Sequence, residues 1–69
     1  MKNNNFNIAE SAINLLKDGI NNCNKSKITM AYSMITEDDN FTWDNLDVLY
    51  SEWEDLIEIG NNILYDKEK

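Results

Sequence analysis

At 69 residues the chain has room for one domain, and a domain of this size buries only about 60% of its unfolded surface. A single cysteine and no histidine exclude an internal disulfide and a structural zinc site as staples. Thirteen Asp and Glu against six Lys give a formal charge of −7, which repels phosphates and anionic membrane surfaces and favours a basic protein partner.

The N-terminal MKNNNFNIAES does not resemble a signal peptide, because its apolar run is interrupted by Glu10 and Asn14, and no apolar stretch approaches a membrane span. With a lone thiol the expected compartment is the reducing cytoplasm. Twelve asparagines, abundant Ile and Lys and no Pro suggest an AT-rich coding genome.

Met1 to Phe6 is Asn-rich and is expected to fray. Asn7 reads as an N-cap with Glu10 reaching back from the third helical position. From there Ala9, Ala12, Ile13, Leu16, Gly19, Ile20 and Cys23 share one face, which predicts a helix over 8–23. Its small residues allow a neighbour to approach closely. Cys23 on that face reads as a small buried hydrophobe.

Residues 26–36 fit two periods. Ile28, Met30, Tyr32 and Met34 alternate as in a strand, whereas Ile28, Ala31, Tyr32 and Ile35 share a helical face, with Ser26 as a ready N-cap. An isolated strand needs a partner, and no other segment reads as one. A helix over 27–36 is therefore expected, with Met30 and Met34 as core filler.

Glu37-Asp38-Asp39-Asn40 is a turn by its locally bonding side chains. Phe41, Thr42 and Leu46 then match a hydrophobic staple about an N-cap, with Asp44 in the first turn, so a long helix is expected over 43–65. Leu46, Leu49, Tyr50, Trp53, Leu56, Ile57, Gly60, Ile63 and Leu64 form its seam. The tail 66–69 is expected to fray. These features together predict an all-α three-helix bundle, one domain over 1–69, dividing a buried seam from an acidic wall.

Few chemistries are open to this chain. Without histidine there is no triad and no Cys-His pair, and there is no Gly-rich phosphate loop. The run Asp38-x-Asn40-x-Thr42-x-Asp44 begins like a calcium loop, yet Trp43 stands where the loop requires Gly and Leu49 where it requires Glu. No enzyme activity, metal or cofactor is expected.

What remains is a surface. Asp44, Asp47, Glu54, Asp55 and Glu58 lie along about 21 Å of the expected helix, one per ~5 Å, against one phosphate per ~3.4 Å along a DNA strand. Glu37, Asp38 and Asp39 would extend the patch. Trp43 at its edge is either a staple residue or an aromatic anchor for a partner. Apolar residues widen the flanks: Val48, Ile59 and Ile63 on the long helix, Ile8 and Leu15 on the first. They suggest self-association, since small domains are commonly completed by oligomerisation.

The expected function is a small acidic cytoplasmic protein that binds and inhibits or regulates a basic, nucleic-acid-binding protein. A nucleic-acid mimic of the phage or mobile-element anti-defence type has this character. The alternative is a helical regulatory subunit, antitoxin-like, that binds through its apolar flanks. A homodimer is expected in either case.

Overall fold

The computed structural model describes residues 4–65. They form three helices: α1 (Asn4–Asn21), α2 (Lys25–Thr36) and α3 (Asp47–Leu64). The all-α three-helix bundle is the architecture the periodicity predicts. The ambiguous middle segment is helical.

The bundle is organised around α1 rather than α3. α1 packs extensively on both neighbours, while α2 and α3 touch each other least. Ala9, Ala12 and Leu16 on α1, with Ile28 and Ala31 on α2, are fully buried. Trp53, 6% exposed, closes the core from α3. Such interiors contribute roughly 25 cal/mol per Å² of apolar surface removed from water. With few large side chains fully buried, close backbone approach must supply much of the packing.

Two glycines permit that approach. A Cβ on Gly19 would stand 2.9 Å from Ile28 Cγ1 and 3.0 Å from the Ile28 backbone nitrogen. A Cβ on Gly60 would meet the Tyr32 hydroxyl at 2.7 Å. α1 runs through Gly19, as the continuing apolar period predicts.

The helix ends differ from the expected ones, each for a local reason. α1 begins at Asn4, so Asn7 is inside the helix and is not its cap, and Asn4 to Phe6 are helical. The expected fraying of Met1 to Asn3 and of 66–69 lies outside the described residues.

α1 stops at Asn21, before Cys23. The amide of Cys23 bonds the Ile20 carbonyl at 3.2 Å and that of Asn24 bonds the Gly19 carbonyl at 2.8 Å. This is the paired bonding of a Schellman motif with Cys23 as its left-handed residue, at φ 50°. The thiol is therefore exposed and is not the buried hydrophobe that helical spacing suggested. Asn24 also caps α2, its side chain accepting from the Lys27 amide at 3.2 Å. One residue thus ends one helix and starts the next, and Ser26 lies inside α2. Met34 packs against the core, but Met30 is exposed.

The start of α3 departs furthest from expectation. Thr42 does not cap a helix; its hydroxyl accepts from the Asp44 amide at 3.2 Å in a local turn. A second turn follows, closed by the Leu46 amide on the Trp43 carbonyl at 2.9 Å, with Asn45 at φ 64°. A left-handed Asn in the third position is the signature of a type II turn. The helix then begins at Asp47 with no side-chain cap.

Candidate interaction surface

α3 places its side chains by a step of ~100° per residue. Trp53 and Gly60 point inward and are buried. Asp47, Glu54, Asp55 and Glu58 fall on the outward arc, with Glu54 and Glu58 at its edge beside Trp53 and Ile57, and are all exposed. Asp47 sits in the first turn, where the helix dipole favours a carboxylate. From Asp47 to Glu58 is ~16 Å of helix, so the acids stand one per ~4–5 Å, near the density expected.

The ion pairs among the described residues leave this arc uncompensated. Lys17 pairs with Glu52 at 2.6 Å, and Lys27 pairs with Asp18. Neither lysine reaches Asp47, Glu54, Asp55 or Glu58. Glu54 accepts a hydrogen bond from the Tyr50 hydroxyl, which raises the Tyr50 pKa. The ion pair of Glu52, a residue outside the expected acidic wall, ties the border of the arc to α1.

The remaining expected acids lie off the helix. Asp44 is exposed but precedes α3, in the turn between Thr42 and Asn45, so the acidic arc is shorter than the sequence spacing implied. Glu37 ends α2, its amide bonding the Ser33 carbonyl at 3.0 Å. Asp38 is half-buried and accepts from the Asn40 amide at 3.0 Å, a turn-forming contact. Asp39 is exposed. All three belong to the α2–α3 connection.

Trp43 is half-buried in an aromatic cluster. Its ring lies edge-on to Phe41 at 4.8 Å and tilted to Tyr50 and Trp53 at 5.3 and 5.8 Å. Such pairs add ~0.5–1.5 kcal/mol beyond area burial. They fasten the α2–α3 connection over α3 and leave Trp43 an intramolecular role.

The apolar flanks divide. Val48 is 81% exposed and Ile59 47%; both lie on the same line of α3, beside Asp55. Leu15 and Ile63 pack against the core and Ile8 is half-buried, so the flank available for association is narrower than five residues. Val48 and Ile59 are its most exposed members.

One feature was not singled out from the sequence. Because α2 and α3 touch least, a cleft of ≈ 200 Å³ opens between them, lined by Tyr32, Ile35, Thr36, Trp53, Ile57 and Asn61. At one end the Tyr32 hydroxyl donates to Asn61 Oδ1 at 2.9 Å, with the Ile57 carbonyl 3.3 Å away. The Tyr32 ring meets Trp53 edge-on at 5.9 Å. Burial, and then the neighbouring Tyr65, raise the Tyr32 pKa. The shared face of Ile28, Ala31, Tyr32 and Ile35 was legible, but not that α3 would leave part of it open.

Among the described residues no cluster of His, Cys, Asp and Glu could hold a metal ion, and no helix is long and apolar enough to cross a membrane. Comparison with family models, with curated proteins and with solved structures found no match.

Proposed function

We propose that this chain is a non-enzymatic binding protein whose acidic α3 face docks on a basic surface of another protein and inhibits or regulates it. The observation that carries the reading is the arc of Asp47, Glu54, Asp55 and Glu58, exposed together and outside both described ion pairs. A carboxylate row of this density suits a surface evolved to hold phosphates, so a nucleic-acid-binding target fits best. A phage or mobile-element inhibitor acting in the cytoplasm is the type of protein that matches, by analogy of character. Absence of histidine from the sequence and the exposure of the acids on a helix favour contact over catalysis.

The test is affinity capture from a host lysate at ~50 and ~500 mM salt, run with the native chain and with Asp47→Lys combined with Glu54→Lys. Surface charge attraction is screened within ~3 Å at 1 M and ~10 Å at 0.1 M. The reading expects a basic protein that is retained at low salt, released at high salt and absent from the variant's eluate. Equal retention by the variant would refute it.

A second reading rests on Val48 and Ile59, whose exposure suits apolar docking of a regulatory subunit or of a second copy. It expects binding that barely changes with salt and is lost on Val48→Asp or Ile59→Asp. Light scattering of the native chain tests the homodimer directly: a mass of twice 8.1 kDa supports it, and a single-chain mass excludes it.

A further inference from the structure

The α2–α3 seam is the least closely packed of the three helix pairs. Its cleft has a floor of Ile35, Trp53 and Ile57 and is predominantly apolar. It is bounded at one side by the Tyr32–Asn61 hydrogen bond. An apolar cavity of ~150 Å³ accommodates a benzene ring, so ≈ 200 Å³ has room for one bulky side chain and not for a whole helix. The rim is acidic. Glu54 follows Trp53 and lies one turn before Ile57 and Glu58, and Glu37 follows Thr36 at the end of α2.

Building on the proposed docking to a basic partner, we infer that the cleft between α2 and α3 receives a single bulky apolar side chain, flanked by lysines or arginines, from a peptide segment of that partner. Charge selects this occupant. A second copy, carrying −7, would set acid rim against acid rim, whereas a basic segment places its cations beside Glu54 and Glu58 while its apolar anchor is buried. Anchors of this sort, seated in a small pocket within a charged rim, dominate the energetics of protein interfaces.

The probes are three synthetic peptides of twelve residues: one with a central Phe between Lys pairs, one with that Phe replaced by Ala, and one with the Lys replaced by Gln. Binding is read from tryptophan fluorescence, since Trp53 lines the cleft, and from NMR shifts of Ile35 and Ile57. Burying the ring is expected to make the Phe peptide bind about tenfold or more tightly than the Ala peptide. Thr36→Trp, a substitution at an exposed site on the rim, is expected to abolish that preference while leaving the circular dichroism unchanged. Equal binding of the Phe and Ala peptides, no saturable response at ~1 mM, or a Phe preference that survives Thr36→Trp would each overturn the inference. Binding that depends on Lys but not on Phe would overturn the cleft alone and leave the acidic face standing. A Phe preference undiminished in the Gln peptide would overturn the charge selection on which both rest.

Discussion

Replacing Gly19 with alanine sets two effects of known size against each other. Alanine is favoured over glycine within a helix by roughly 0.5–1 kcal/mol, so at an open position the substitution would stabilise. Gly19 is not open. The new Cβ would lie 2.9 Å from Ile28 Cγ1, 3.0 Å from the Ile28 nitrogen and 3.1 Å from Lys27 Cβ. Backbone nitrogen cannot rotate away, and the Gly19 carbonyl is itself fixed by the Asn24 amide at 2.8 Å. Relief requires α1 and α2 to part, and overpacking of this kind costs ~1–3 kcal/mol. The net expectation is a loss of about 1–2 kcal/mol, or roughly 5–15 °C in Tm for a domain of this size. Gly60→Ala is the control. Its closest contact is the tip of the Tyr32 side chain at 2.7 Å, with Ile28 Cγ2 at 3.3 Å and Leu16 Cδ1 at 3.4 Å. Relief there needs only a tilt of the half-buried Tyr32 ring, at some cost to its hydrogen bond with Asn61, and no parting of helix backbones, so helix propensity offsets most of the penalty and the change should stay within about 1 kcal/mol. Urea unfolding followed by tryptophan fluorescence and circular dichroism measures both. A Gly19→Ala chain as stable as the native one would refute the close α1–α2 approach.

Cys23→Gly should stabilise by about 0.5–1 kcal/mol, because the Schellman position at φ 50° suits glycine and the thiol has no burial to lose; a lower urea midpoint would contradict the assigned turn. Asn24→Ala should cost ~1 kcal/mol through loss of the α2 cap, read from the same unfolding curve, and a neutral result would move the cap elsewhere. The raised Tyr32 pKa sets the sign of an alkaline transition. Its stabilising contribution is fully present below the unfolded value of 10.0 and is lost as pH rises through the folded value, because the unfolded chain then ionises first. Stability should fall above pH 10 and fall less in Tyr32→Phe; an unchanged decline in that variant would assign it to other groups.

Periodicity made the helices legible because each buries one stripe: Ala12, Leu16 and Gly19 on α1, Ile28 and Ala31 on α2, and Trp53 and Gly60 on α3 are all buried. Boundaries were less legible because local hydrogen bonding decides them. Cys23 keeps the apolar period but takes a left-handed conformation, which no spacing rule reports. Thr42 and Leu46 carry the spacing of a staple, yet the aromatic packing of Trp43 on Phe41, Tyr50 and Trp53 and the turn at Asn45 delay the helix to Asp47.

The candidate surface was legible to the same extent. Asp47, Glu54, Asp55 and Glu58 share an arc because helix geometry requires it, whereas Asp44 leaves that arc with the shift of the helix start. Leu15 and Ile63 look like free flanks in a helical projection of a single helix. They are partly buried against the core, a tertiary fact that pattern alone does not carry. The cleft beside Tyr32 has the same origin, since it exists only where two faces fail to meet.

The dependence of partner affinity on ionic strength bears most directly on whether this molecule acts through its carboxylate face. With the basic protein recovered by affinity capture, binding constants would be measured by titration calorimetry between ~50 and ~300 mM NaCl, for the native chain and for Asp47→Lys with Glu54→Lys. A fall of more than about tenfold over that range, with no measurable binding by the variant, is the predicted result. Affinity that holds constant with salt, persists in the double variant and disappears on Val48→Asp would contradict it.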